Sequence, residues 1–462
     1  MSALGELPNE LLSLIFEHLY SANTVEDDGL RWEDENLHNP NLFPWAIYQV
    51  CPLWAQIATQ YPHFWTRISF DVASSESLPL VAFEWSKGNS FKVLIYSSRR
   101  LEDSIGSQTS KNTSFTRSSQ ALLEKNRVAS ITNALLPHLG RCEHMEYDVN
   151  IASSLPRLPI FLQKTANQIR TLKLCGRDSN LSEWDAHFSY PSFSSTSFRS
   201  VREISLPVAT FISVGRNDPR QLWDLSECTH VELYHYEFNG LTSTARVGVA
   251  SMGEFFAHLV SLYEVTHIKL RGLSVQSQSI GALPKVQSPD DLDSPPWPWH
   301  LISFSFKDLS QMFFEGLVNA FSIHAESGEI DNCDFPYNAW WIDALDLILI
   351  NIPIRAQFRA ALKNFSGPIL QFKSCPGLND DVLSFLGSEE CYDLRQLRVS
   401  DCSGYSIRSL KDLVSKRRAR VVEDNGRYWD VWAIYLEGSS SKPNLADAEW
   451  FLTNLQEFSV VE

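Results

Sequence analysis

The chain has 462 residues, 44% of them hydrophobic and 12% aromatic, with 14 tryptophans and a formal net charge of −16. That composition supplies a large core with room for two domains, and its acidity argues against broad binding to a phosphate backbone, which needs a basic face. No apolar run approaches the ~18–20 residues of a membrane span; the longest, around Ala344 to Ile352, is interrupted by Asp346 and Asn351.

The first predicted element is a helix over residues 7–19. Pro8 suits a first turn, where its missing N–H costs nothing. Leu12, Ile15, Phe16 and Leu19 form one stripe at i, i+3, i+4 and i+7, and Leu7, Leu11, Leu14 and Ile15 form a second beside it. Only Asn9, Glu10, Ser13 and Glu17 remain as a polar edge, so this helix needs cover on more than one side. Residues 21–43 carry Glu26, Asp27, Asp28, Glu33, Asp34 and Glu35 and read as an exposed acidic insertion. Gly29 does not fit the frame of a calcium loop. Helical spacing resumes at Pro44 with Ile47, Val50, Trp54, Ile57 and Tyr61, and Pro52 is expected to start a new helix after a bend. Phe64 and Trp65 follow Pro62.

Four motifs in this region stand in a telling order: Leu7-Pro8-Asn9-Glu10-Leu11, Ile15-Phe16-Glu17-His18-Leu19, Val50-Cys51-Pro52-Leu53-Trp54 and Phe64-Trp65. Over residues 4–70 the chain resembles the F-box. The resemblance implies a small all-α module over 1–70, interrupted by the insertion at 21–43, that docks on a Skp-type adaptor and through it on a cullin–RING ubiquitin ligase. Apolar anchors at helical spacing suit docking of a helix into a groove. The residues it implies for adaptor docking are Leu7, Pro8, Leu11, Leu12, Ile15, Phe16, Leu19, Val50, Cys51 and Trp54.

A second domain is expected over 71–462. A helical segment through Phe83 and Trp85 precedes a strand at Phe91 to Tyr96. Residues 102–120, rich in Ser and Thr, read as a loop, with Ser104, Ser107, Ser110 and Ser114 open to phosphorylation. A helix at 121–138 is expected to bury Leu122, Leu123, Val128, Ile131, Leu135 and Leu136. Strands are expected at His144 to Val149, Ile169 to Leu174, Val201 to Leu206, His230 to Leu233, Thr266 to Leu270, Ile302 to Phe306, Ile369 to Phe372, Leu394 to Val399 and Trp429 to Leu436. Inserts fall at 177–198 and 274–298. A last helix, Ala446 to Leu455, caps the end, with Phe458 and Val460 in an extended tail.

Two late units, Ile369-x-x-Phe372-x-x-Cys375 and Leu394-x-x-Leu397-x-Val399-x-x-Cys402, each pair a strand and a cysteine loop with an amphipathic helix. These resemble the cysteine-type leucine-rich repeats that follow F-boxes in many fungal proteins. One such unit cannot bury its apolar face alone, so neighbours stack. The expected fold class is therefore a small all-α F-box module followed by an α/β leucine-rich-repeat-like solenoid with a curved, mostly parallel sheet. A compact α/β sheet of ordinary topology is the alternative.

Chemistry is sparse. The chain has no phosphate loop, no Gly-x-Gly-x-x-Gly, no Gly-x-Ser-x-Gly elbow and no His-Glu-x-x-His helix. Cys142-Glu143-His144 and His230 to His235 are close metal-capable sets without matching ligands at zinc spacing. The expectation is no catalytic residue, no metal and no cofactor. The eight cysteines are scattered, and the N-terminus has Glu6 and Glu10 where a signal peptide carries basic residues, which points to the cytoplasm or nucleus. Lys416-Arg417-Arg418 with Arg420 reads either as a helix end or as an acidic-partner patch. Trp297 and Trp299, set between prolines, either plug a sheet edge or anchor a partner.

Two functions compete on this reading. One is the substrate-recognition subunit of a Skp–cullin–F-box ubiquitin ligase, with the solenoid binding an unknown target protein and with no nucleic-acid or membrane partner. Lys173, Glu232 and Lys269 are target-facing candidates by strand alternation. The other is a non-ligase scaffolding or protein-interaction solenoid, favoured by Pro52 and the long insertion.

Overall fold

The computed structural model describes residues 7–24, 43–74, 80–98, 113–156, 168–178, 200–215, 227–238, 251–260, 264–275, 297–335, 342–352, 365–388, 393–423 and 430–461, with 158, 161, 262, 358, 362 and 391. Most of the acidic insertion, Ser104, Ser107, Ser110, and most of the inserts at 177–198 and 274–298 lie outside these. The chain divides into two compact units, one through Thr210 with Arg220–Cys228 and the other Phe211–Pro219 with Thr229–Glu462.

The first unit opens with three helices, α1 (Asn9–Thr24), α2 (Trp45–Tyr48) and α3 (Pro52–Ala58). Cys51 is extended and Pro52 occupies the first turn of α3, so the proline does start a new helix after a bend. Helix α1 runs through Thr24, past the expected start of the insertion. Five strands follow: β1 (Arg67–Asp71), β2 (Phe91–Tyr96), β3 (Cys142–Ile151), β4 (Thr171–Asp178) and β5 (Glu203–Pro207). Each is parallel to the next. The helical layer is joined to the strands through rings: Trp45 lies on Trp65 (centroids 5.2 Å) and on Phe70 of β1 (6.4 Å), and Trp65 lies on Trp85 (4.4 Å). The buried Trp65 indole donates to the Ala58 carbonyl at 3.0 Å.

Two expectations for this unit fail. Residues 113–120 are not loop, because helix α5 spans Thr113–Leu135, with the short α4 (Ala82–Trp85) before it. Leu122 and Leu123 are exposed, and the buried stripe is Glu124, Val128, Ile131 and Leu135. The reason is polar: the Glu124 carboxylate accepts from the Ile151 amide (3.0 Å) and from the Asn150 side chain (3.1 Å). This tie rotates the helix so that a charged residue faces in, which a hydrophobicity pattern does not register.

Among the described residues, the second unit is a ladder of nine strands, β6 (His230–Phe238), β7 (His267–Val275), β8 (Trp297–Lys307), β9 (Phe321–Asp331), β10 (Ile342–Ile350), β11 (Ile369–Lys373), β12 (Gln396–Ser400), β13 (Ala433–Glu437) and β14 (Glu457–Val461). Again each strand pairs, in parallel, with the next in sequence. Parallel neighbours in sequence order define an α/β solenoid-like arrangement. Helices between the strands pack one face of the sheet. Examples are α7 (Met252–Val260), which follows α6 (Val208–Gly215), and α8 (Gln311–Ala320). Phe306 meets Phe314, and Phe238 stacks on Phe313 at 5.6 Å. Strands β9 and β10 were not expected, and the tail at Phe458 and Val460 is a full strand. Later come α9 (Asp380–Leu386), capped by the Asn379 side chain, then α10 (Ile407–Glu423) and α11 (Leu445–Asn454).

A column of left-handed residues crosses this unit, lying within β6 and β7 and directly after β8 to β13. His235, Gly272, Asp308, Asn332, Asn351, Ser374, Asp401 and Gly438 all have φ between +49° and +63°. From Asp308 onward, each amide donates to the carbonyl of the neighbouring strand's last residues at 2.8–3.1 Å. Asn and Asp tolerate this conformation best among side-chain-bearing residues. One residue further on stand Cys333, Cys375 and Cys402. Each thiol donates to a carbonyl of the preceding strand, Phe306, Leu349 and Phe372 respectively. The cysteine of the late repeats is thus a small buried donor that satisfies a carbonyl at the turn.

His235 is the one histidine among these positions. Burial lowers its pKa below the ordinary 6.5, with Arg271 adding to the shift and Asp308 opposing it. A depressed folded-state pKa gives stability that is present above the ordinary value and lost as pH falls through the folded one. His235→Asn keeps a residue that accepts φ of +49° and removes the titration. Urea midpoints measured at pH 7.5 and 5.5 should therefore fall less in the variant than in the wild type. An equal fall in both would show that His235 is not the group responsible.

Candidate protein-docking site

Helix α1 buries one stripe and exposes much of the other. Leu12 and Phe16 have no exposed surface, and Phe16 meets the half-buried Trp54 edge-on at 5.0 Å. Tyr20 continues that stripe onto Phe43 (5.7 Å), His63 (5.1 Å) and Phe64 (5.3 Å). On the other side Leu11, Leu14, Ile15 and Leu19 are 39–60% exposed, and Val50, from the turn before α3, is 57% exposed. Pro8 is exposed, while Leu7 and Cys51 are half-buried. Exposed apolar side chains are ordinary one at a time, but four on one helix at i, i+3, i+4 and i+8 form a patch.

Of the ten residues implied for docking, Leu12 and Phe16 are therefore core. They hold α1 in place and do not offer surface to a partner, because the i, i+4 stripe they share faces Trp54. Leu14, outside that set, is the most exposed of the large apolar residues on the helix. Its i+3 spacing from Leu11 was the available signal.

Other singled-out groups are structural. Arg417 is fully buried and donates to the Leu394 carbonyl at 3.1 Å, while Arg418 reaches Asp430 and Asn454. The basic run is thus split between core and surface in mid-helix and does not form one exposed patch. Trp299 is buried on Phe321 (4.8 Å), whereas Trp297 is 45% exposed, and both lie within β8. Lys173 pairs with Glu203 at 2.8 Å, and Glu232 and Lys269 lie side by side on β6 and β7 with Lys269 exposed. The Cys142 thiol donates to the His144 carbonyl at 3.3 Å, and burial pushes its pKa well up. Burial likewise pushes the Cys333 thiol up to about 12, so neither thiol is primed as a nucleophile. Among the described residues, no three His, Cys, Asp or Glu side chains are grouped to hold a metal ion, and no helix is long and apolar enough to cross a membrane.

Set against known proteins, the chain matches no protein-family model and no curated protein.

Proposed function

We propose that this chain is the substrate-recognition subunit of a Skp–cullin–F-box ubiquitin ligase. In this reading α1 docks a Skp-type adaptor while the strand face of the second unit holds a target protein. The observation that supports it is the exposed apolar stripe Leu11, Leu14, Ile15 and Leu19 beside Val50, backed by a helix that Leu12 and Phe16 pin in place. Such a surface suits helix-in-groove binding. The chain itself performs no chemistry; it raises the effective concentration of the target near the ligase's catalytic subunits.

The test is capture of the purified full chain by an immobilised Skp-type adaptor. Wild type should bind, and Ile15→Asp with Leu19→Asp should weaken binding at least about tenfold, as expected for charges placed in an apolar anchor. Both side chains are exposed, so the thermal unfolding of the double variant should match the wild type. Failure of the wild type to bind, or full binding by the double variant, rejects the reading and leaves a non-ligase scaffold.

A further inference from the structure

The strand face opposite the helices is not uniform, and one place on it departs from the regular ladder. In β8, β9 and β10 the pairs Leu301–Ala325–Ala344 and Ser303–Ser327–Asp346 are in register, but the row between them is skipped. In/out alternation slips there in all three strands: 302 and 303, 326 and 327, and 345 and 346 all face away from the helices. The skipped row consists of Ile302, Glu326 and Leu345. Ile302 is 44% and Leu345 57% exposed, two apolar side chains on a sheet face where strand alternation places polar ones. They stand two strand spacings apart, about 10 Å.

Four carboxylates ring the pair. Glu326 lies between its members and has no partner among the described residues. Asp343 lies beyond Leu345 and is held by Ser366 (2.5 Å) and His324 (3.5 Å). Asp346 accepts from Gln371 (2.8 Å), and Glu329 from Ser305 (3.3 Å). From Trp297 to Ser305, Phe321 to Glu329 and Ile342 to Ile348 there is no Lys or Arg. The nearest cation on these strands, Lys307, is already paired with Asp331.

We propose that this skipped row is the docking site for a positively charged protein segment that presents two apolar side chains about 10 Å apart, the spacing of residues about two helical turns apart. The partner's chemistry follows from charge complementarity. Carboxylates around an apolar pair, on strand stretches without Lys or Arg, attract a cationic segment and repel an acidic one. The site deepens the target-binding part of the proposed function and is independent of adaptor docking at α1.

The test uses the full chain and a fluorescent helix-forming peptide with leucines about two turns apart among lysines, against the same peptide with glutamates in place of lysines. Wild type should bind the lysine peptide and not the glutamate one. Because the whole chain is acidic, the decisive readings are two variants: Glu326→Lys and the pair Ile302→Ser with Leu345→Ser should each weaken binding at least about tenfold, the span of one lost anchor. Glu326→Gln serves if the lysine variant does not fold. No binding, equal binding of both peptides, or variants that bind like wild type would overturn the proposal. So would a homodimer that Leu345→Ser disperses, since the occupant would then be a second copy. Adaptor capture should be the same in all variants. If the wild type fails that capture yet binds the lysine peptide, only the ligase reading is lost.

Discussion

Replacing Phe16 with alanine is expected to cost about 3–5 kcal/mol, the range for removing a buried aromatic ring. The ring is fully buried, and it is the contact through which α1 reaches Trp54 of α3. Little nearby can collapse into the gap, because Tyr20, Phe43, His63 and Phe64 are already engaged with one another at 4.6–5.7 Å. Chemical unfolding followed by tryptophan fluorescence reads the change, since Trp45, Trp54 and Trp65 report on this layer. Ile15→Ala, on the exposed side of the same helix, should stay within about 0.5 kcal/mol of wild type. Equal effects at the two positions would mean that α1 is not oriented as described.

Gly367→Ala should cost about 3 kcal/mol or more, at the upper end of overpacking penalties. A Cβ at this buried position would run into the Ala344 carbonyl oxygen of β10, and it would also lie 2.8 Å from the Phe365 ring. The obstacle is backbone, which has nowhere to go without disturbing the β10 ladder. The next residue, Pro368, accepts from the Arg395 and Gln396 amides at 2.9 Å each, so displacement on one side is passed to the entry of β12. Gly88, where an added Cβ meets nothing within 4 Å, is the control: Gly88→Ala should be neutral or slightly stabilising. A mild effect at Gly367 would show that β10 and the segment leading into β11 are less closely apposed.

Much of this architecture was legible before the structure, and the failures have physical causes. The strand at Phe91 to Tyr96 and the cysteine units of β11 and β12 could be read because inward residues there are uniformly Leu, Ile, Val or Phe. Strand β1 was missed because Arg67-Ile68-Ser69-Phe70-Asp71 carries charge at both ends and directly follows an aromatic helical stretch. Strand β9 was missed because its inward positions include Gly328, which faces the Phe304 ring and leaves no room for a side chain. Its alternation also slips at Glu326 and Ser327, and a single period does not survive that slip. In β10, Leu345 faces outward and Asp346 follows it, so strict alternation is lost across the segment. At the candidate site the exposed and buried stripes of α1 are both apolar. Only the position of Trp54 decides which is which, and that is a tertiary fact.

The left-handed column also bears on how length varies along the second unit. Asn332 and Asn351 complete one circuit of the chain; His235 and Gly272 complete another with nearly twice as many residues. Both circuits nevertheless begin and end on the same line, as a screw thread keeps its pitch whatever is attached to its rim. Insertions and deletions in such a protein are absorbed between one column residue and the next strand, while the strand ends stay fixed. Whole circuits are the natural quantum of gain or loss, and a fraction of one would throw every later strand out of line.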